Sequence, residues 1–468
     1  MKFAMDKTDK RIIKVLVSLT VMFLSLAVYL SYFQMFRAAE IVKSSYNKRL
    51  WASEESVLRG SILDRNGTVL AYSEKGENGQ ARRYPFGRLY SHVIGYSYRE
   101  YGKSGLENSY NSYLVNASRN PLEEIAQKIT GPSENGNKLV LTIDHELQKK
   151  AQKHLSGKKG SIILMNPKTG EIYAMVSNPD FNPANLGESW AEIVEDEESP
   201  LLNRSTMGLY APGSVFKIIT ATAALENSLG AGYDCKGSIV IDGYELRDYG
   251  GKAHGRVDIK KAMEVSCNSA FASLGLELGE DALRGEAEKY MFNEKIPFDL
   301  KTKNSVFPAG RMSKAELGAT AIGQGKVLVT PLNMLLAVST IANGGEMVEP
   351  HIVKEVVSAD GKTIMSIEPK TLKTVTDSLT AQAISEMMVG VVQSGTGKNA
   401  RIRSVKVAGK TGTAENESEK EHAWFVGFAP ADDPDVAVVV VLENMGSTGG
   451  ASAAPIARDM MTGYFSRK

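Results

Sequence analysis

Hydrophobic and polar positions change rhythm several times along this chain. From Val15 to Phe36 no residue is charged and most are apolar. At about 1.5 Å per residue, a helix of that length covers about 33 Å, enough for a bilayer core. Lys2, Lys7, Lys10, Arg11 and Lys14 precede it, which predicts a cytoplasmic N-terminus and a following chain on the other side. An uncleaved anchor is expected, because a signal peptide would have a shorter apolar core and a small-residue cleavage site. Arg37-Ala38-Ala39-Glu40 is not such a site. Residues 37–58 are polar with helical character. Asn66-Gly67, between two apolar runs, predicts a hairpin. Short strands are expected up to about residue 137, then a strand at 139–143. Asp144 is placed to cap a helix running to residue 155.

A second rhythm begins near Gly160. Residues 161–165 and 171–176 read as two strands joined by the turn Asn166-Pro167-Lys168-Thr169-Gly170. Helical spacing dominates from Val215 to Ala342 and stops at Asn343-Gly344-Gly345. Strands are expected at 405–413, 422–429 and 436–442, then a helix at 454–465. This order predicts an α+β fold: an antiparallel sheet between helices, with one all-helical lobe. The chain divides into a cytoplasmic segment 1–14, a transmembrane helix 15–36, a smaller mixed pedestal 37–158 and a main domain 159–468.

Composition narrows the function classes. The 468 residues leave room for two or three domains. With 55 basic and 54 acidic residues, nothing points to nucleic acid. Cys235 and Cys267 are the only cysteines, no C-x-x-C occurs and the six histidines are scattered, so no structural zinc site is expected. The two cysteines read as buried thiols rather than a disulfide.

Three short motifs carry candidate chemistry. Pro212-Gly213 cannot continue a helix backwards, whereas the residues after Ser214 continue one forwards, so Ser214 sits at a helix start with Lys217 on the same face. A serine hydroxyl needs a base to take its proton, and a desolvated lysine can serve. The helix N-terminus favours a developing oxyanion. Ser266-Cys267-Asn268 fills a turn between two helices, 52 residues after Ser214. Its hydroxyl and amide suit proton relay and carbonyl binding; an alternative reading makes it a helix C-cap with Asn268 left-handed. Lys410-Thr411-Gly412-Thr413 ends a predicted strand, 144 residues further on. It offers a carboxylate site, and Gly409 and Gly412 would admit a ligand backbone pairing with the strand. Trp424 and Phe428 on the partner strand read as core. Isolated copies of these motifs, such as Lys168-Thr169-Gly170 on a turn tip, carry no such context.

In this order and context, S-x-x-K, S-x-N and K-T-G resemble the active-site set of penicillin-binding proteins and serine β-lactamases. Nearly the whole chain is similar to the class B penicillin-binding proteins, monofunctional D,D-transpeptidases, and most like the penicillin-binding protein A type of Gram-positive bacteria. Arg59-Gly-Ser-Ile-Leu-Asp-Arg-Asn-Gly67 resembles their pedestal signature, and Leu141-Thr-Ile-Asp144 their interdomain segment. Ala321-Ile-Gly-Gln-Gly325 resembles a stretch behind their active site. The resemblance implies that Ser214 attacks the carbonyl between two D-alanines of a peptidoglycan stem peptide, with Lys217 as base and Ser266 and Asn268 assisting. It implies that Lys410, Thr411 and Thr413 hold the terminal carboxylate, and that the amides of Ser214 and Thr413 form an oxyanion hole. β-Lactams would acylate Ser214. No metal or organic cofactor is implied. A membrane-embedded polymerase of the SEDS type would be the partner, reached through the anchor and pedestal. A β-lactam or muropeptide sensor, or a scaffold that activates such a polymerase, is the alternative. A serine β-lactamase is weaker, since no obvious base for rapid deacylation stands out.

Overall fold

One strand organises the larger half of the molecule. Val436–Leu442 is fully buried along its length, and its side chains alternate between two cores. Ala437, Val439 and Val441 join one core, which includes Leu335 and Val338 of helix Pro331–Ala342. Val436, Val438, Val440 and Leu442 join the other, with Ala457 and Met460 of the closing helix Gly449–Phe465. A sheet covered on both faces follows. Its five strands run in the order Ala408–Ala414, His422–Ala429, Val436–Leu442, Gly160–Met165, Ile172–Asn178, all antiparallel. The motif strand Ala408–Ala414 lies at an edge.

This computed structural model describes residues 7–36, 57–76, 79–117, 135–415 and 420–467. The polar stretch expected at 37–58 falls almost wholly outside the described residues, as does most of the loop 415–421. Helix Lys7–Phe36 contains a span, Lys10–Met35, with mean hydropathy 2.2, long and apolar enough to cross a membrane.

The smaller sheet has six strands and is not confined to the N-terminal third. Its order is Thr363–Ser366, Val353–Val357, Lys138–Leu141, Ile62–Leu63, Val69–Gly76, Gly79–Arg83. The hairpin predicted at Asn66-Gly67 is present, with Gly67 at φ +88°. The segment Arg59 to Gly67 builds the joint between the two halves. Arg59 is buried and donates from Nε to Glu107 Oε2 at 2.5 Å, while Arg82 Nε donates to Glu107 Oε1 at 2.7 Å. Asp64 Oδ1 accepts from the amides of Asn66 and Thr68, and Asp64 Oδ2 from that of His145. Arg65 lies over the Tyr173 ring at 4.7 Å and pairs with Glu171, both on the five-stranded side. Asp144 caps helix His145–Leu155 through the amides of Glu146 and Leu147, as its side-chain chemistry predicts.

The helical lobe departs from the sequence expectation in one region. Between Tyr233 and Val257 the chain forms two small two-stranded ribbons, pairing Ser238–Ile241 with Tyr244–Arg247 and Tyr233–Cys235 with Gly255–Val257. Strands of three or four residues broken by glycines leave no periodicity to read. The Lys168-Thr169-Gly170 copy sits on a turn, where Asn166 Oδ1 accepts from the amides of Lys168 and Thr169.

Candidate active site

Ser214 lies in a single 3-10 turn, Gly213–Val215, immediately before helix Lys217–Glu226. The helix is buried from Lys217 to Ala224, so Lys217 enters the interior by position in the lobe's central helix. Two contacts fix the turn. Gly213 takes φ +54°, and the Gly213 amide donates to Gly323 O at 2.8 Å. A Cβ on Gly323 would meet Gly213 O at 2.1 Å. The stretch Ala321 to Gly325 therefore lies directly behind the nucleophile, and Thr220 Oγ1 donates to Ala321 O from the same helix.

Helix Ile259–Val265 ends at Ser266 in the left-handed conformation, φ 59° and ψ 42°. The left-handed C-cap is thus Ser266, not Asn268, which already begins helix Asn268–Lys289. This twist turns Ser266 toward both lysines. Lys217 Nζ donates to Ser266 O at 2.8 Å, to Asn268 Oδ1 at 2.7 Å and to Ser266 Oγ at 3.4 Å. Lys410 Nζ donates to Ser266 Oγ at 2.8 Å and to Thr411 O at 3.0 Å. Burial lowers the Lys217 pKa to about 7, although the Asp248 carboxylate pulls the other way. Burial, and then the neighbouring Lys217 cation, push Lys410 well below the ordinary lysine value.

The edge strand Ala408–Ala414 pairs with the expected partner His422–Ala429, Thr411 opposite Phe425 and Thr413 opposite Ala423. Trp424 and Phe428 are fully buried, and Trp424 Nε1 donates to Ala211 O beside the nucleophile turn. The glycines differ from expectation. A Cβ on Gly409 would meet the Phe425 ring at 2.4 Å, and one on Gly412 would meet Pro212 O at 3.0 Å. Both make room for the protein's own atoms, because the strand packs against Phe425 and the nucleophile turn. Thr411 Oγ1 shares a 2.6 Å hydrogen bond with Thr396 Oγ1.

Ser214, Ser266, Asn268, Thr411 and Thr413 line one cleft of about 830 Å³, with Lys217 and Lys410 buried beneath it. The structure therefore brings together all three predicted motifs. It adds Asp248, which sequence reasoning missed. Asp248 Oδ1 accepts from the Asn268 amide at 2.5 Å and Oδ2 from Ser269 Oγ at 2.5 Å, so the carboxylate ties down the turn after Ser266. Burial would raise its pKa, but the hydrogen bonds from Ser269, Cys235 and Asn268 hold it below the ordinary value. A lone Asp in an irregular, glycine-rich segment carries no sequence signal. Tyr249 and Lys252, on the same excursion, reach the cleft rim.

Comparison with known proteins agrees with this geometry. Residues 160–462 match the family described as penicillin-binding protein transpeptidase domain, and residues 59–139 match the penicillin-binding protein A dimerisation domain. The chain is 33% identical over 478 aligned residues to the peptidoglycan D,D-transpeptidase PbpA of Mycolicibacterium smegmatis, covering 95% of this chain and 96% of that one. Its structure is similar to the penicillin G acyl-enzyme complex of penicillin-binding protein A from Mycobacterium tuberculosis, with TM-score 0.81 and 32% identity over 88% of this chain and 100% of that one. The D,D-transpeptidase domain of a peptidoglycan glycosyltransferase from Eggerthella lenta superposes with TM-score 0.81 at 34% identity, over 88% of this chain and 99% of that one. The motifs, the fold and these matches make the chain a member of the penicillin-binding protein transpeptidase family.

Proposed function

We infer that this chain is a peptidoglycan D,D-transpeptidase working through a serine acyl-enzyme. One observation carries the reading: Lys217 Nζ is buried three residues after Ser214, held by Ser266 and Asn268, with a pKa lowered to about 7. A lysine with that pKa is neutral often enough near neutral pH to take a serine proton. Ser214 Oγ attacks the carbonyl between the two terminal D-alanines. Lys217 accepts the hydroxyl proton, and Ser266 and Asn268 assist its delivery to the leaving amine. The C–N bond breaks, D-alanine departs and an ester on Ser214 remains. An amine from a neighbouring stem then attacks that ester, loses a proton to Lys217 and regenerates the serine.

Lys410, Thr411 and Thr413 hold the terminal carboxylate, with Gly412 keeping the strand against the nucleophile turn. The outer edge of Ala408–Ala414 pairs with the substrate peptide by main-chain hydrogen bonds. The amides of Ser214 and Thr413 receive the oxyanion. β-Lactams acylate the same serine, in keeping with the acyl-enzyme relative. No cofactor enters these steps. Residues 15–36 of helix Lys7–Phe36 anchor the chain once, leaving 1–14 cytoplasmic and the pedestal 37–158 and domain 159–468 outside. A SEDS-type polymerase is the proposed partner through the anchor and pedestal. The relatives reported above are named as transpeptidases or penicillin-binding proteins, and none of those names supports a sensor.

The test is transfer. The detergent-solubilised full chain, given a D-Ala-D-Ala stem peptide and an acceptor amine, releases D-alanine and forms the amide product. Release without acceptor incorporation would instead mark a carboxypeptidase, and the absence of both release and amide product would refute the reading.

A further inference from the structure

Two chain segments of opposite charge border the cleft that holds Ser214. One is the excursion after strand Tyr244–Arg247, which brings Arg247, Tyr249 and Lys252 to the cleft. The other is the end of the hairpin formed by Ala408–Ala414 and His422–Ala429, which brings Glu415 and Glu421. The excursion is braced by backbone hydrogen bonds. The Asp248 amide donates to Gly237 O at 2.9 Å, and the Gly251 amide closes a turn onto Asp248 O at 2.7 Å. Asn268 Nδ2 donates to Arg247 O at 3.0 Å, which ties the excursion to the active-site turn. Gly250 and Gly251 take φ +64° and +66°, a conformation that sets the tight turn between Tyr249 and Lys252. Tyr249 is 73% exposed, the most exposed aromatic side chain outside helix Lys7–Phe36 among the described residues.

We propose that Lys252 selects the donor stem by the charge of the residue that precedes D-Ala-D-Ala, binding a free carboxylate at the end of that residue's side chain. The inference rests on the transpeptidase reading and deepens it. Three observations support it. First, the Lys252 charge is available. Glu245 Oε2 engages Arg247 from Nε at 2.9 Å and from a terminal nitrogen at 2.7 Å, whereas no carboxylate pairs with Lys252 among the described residues. Second, the place fits. A stem with its terminal carboxylate at Lys410 and Thr411 and its scissile carbonyl at Ser214 leads its preceding residue beyond Ser214, where Asn268 and the excursion bonded to it form the wall. Third, the surroundings fit a long side chain ending in an anion. The Tyr249 ring offers a flat face for methylenes, and Glu415 and Glu421 disfavour an anion on their own side of the cleft. A diamino diacid before D-Ala-D-Ala has such a side chain.

The competing explanation is a solvated rim, on which an exposed lysine and tyrosine touch no substrate and the charge is screened. The two explanations differ in what they select. A solvated rim treats a carboxylate and its amide alike, whereas a recognition lysine does not. Acylation by benzylpenicillin does not report Lys252, because that compound carries an uncharged ring where the stem carries the residue in question. No motif announces the role, because Tyr249 and Lys252 lie in the glycine-rich stretch that also hides the short ribbons.

The experiment uses the full chain in detergent and two synthetic stem peptides ending in D-Ala-D-Ala. They are alike except that the preceding diamino diacid has its side-chain carboxylate free in one and converted to the carboxamide in the other. D-alanine release gives kcat/KM for each. The wild type should favour the free carboxylate by at least about fivefold, mainly through KM, and the preference should shrink with added salt. Lys252→Glu should abolish or reverse the preference and Lys252→Arg should keep it, while both variants still form the penicilloyl adduct. Equal kcat/KM for the two peptides in the wild type, or a preference that survives in Lys252→Glu, would overturn the proposal and leave the transpeptidase reading standing. Release from neither peptide would refute that reading and this inference with it. The wild-type comparison stands even if a variant fails to fold.

Discussion

Two lysines share one serine hydroxyl. Ser266 Oγ receives Lys410 at 2.8 Å and Lys217 at 3.4 Å, and two buried ammonium groups this close disfavour each other's charge. Lys217 is the base, so the neutral form is the active one. With its pKa near 7, acylation of Ser214 by a β-lactam should rise as pH increases and level off above about 7. A stopped-flow pH profile checks this, and a rate that falls through that range would remove Lys217 from the role of base. Lys217→Arg keeps the charge but cannot lose a proton, and should slow acylation by at least about 100-fold. The site was legible where its chemistry is local. Ser214 with Lys217, and Lys410 with Thr411 and Thr413, lie within a few residues of one another, so spacing read together with order and flanking sequence reveals them. Asp248 was not legible, because its role depends on a loop folding back under Asn268.

At the scale of elements, the active site is three backbone segments pressed together. The turn Gly213–Val215 is held between the edge strand Ala408–Ala414 and the Gly323 turn, with glycine at each contact. Gly323→Ala would drive a Cβ into Gly213 O, at 2.1 Å, from a backbone already at φ +77°. The nucleophile turn would shift, and misplacement on the ångström scale costs acylation roughly 100-fold. Second-order acylation kinetics with a fluorescent penicillin, beside a thermal melt to show folding, measure this. Unchanged kinetics would show that the turn does not need its buttress. The strands at 160–178 and 422–442 were readable from continuous apolar runs, and helix Pro331–Ala342 from its terminating Asn343-Gly344-Gly345. The ribbons at 233–257 were not, since strands this short are defined by their partners rather than by their own pattern.

Across the whole molecule, the two sheets are tied by shared chain, and the smaller one carries a buried charge network of its own. The small sheet borrows Val353–Val357 and Thr363–Ser366 from far along the sequence, and Glu107 forms buried ion pairs with Arg59 and with Arg82 of its strand Gly79–Arg83. Burial opposes ionisation of Glu107, but the two guanidiniums beside it hold its pKa below the ordinary value. Its stabilising effect is present above the unfolded carboxyl value of about 4.5 and is lost as pH falls through the lower folded value. Glu107→Gln should cost about 3–5 kcal/mol, because both arginines then stay buried beside an uncharged amide. Urea unfolding at neutral pH tests it, and a cost under about 1 kcal/mol would place the network on the solvated side of the balance. The pairing of strands more than two hundred residues apart, Val353–Val357 with Lys138–Leu141, is not legible from any local pattern.

The central claim is that Ser214 is the acylated nucleophile. Intact-mass spectrometry of the full chain after incubation with benzylpenicillin tests it most directly, wild type beside Ser214→Ala. The account predicts one penicilloyl adduct on the wild type and none on the variant. A folded wild-type chain that stays unmodified, or an equal adduct on Ser214→Ala, would contradict it.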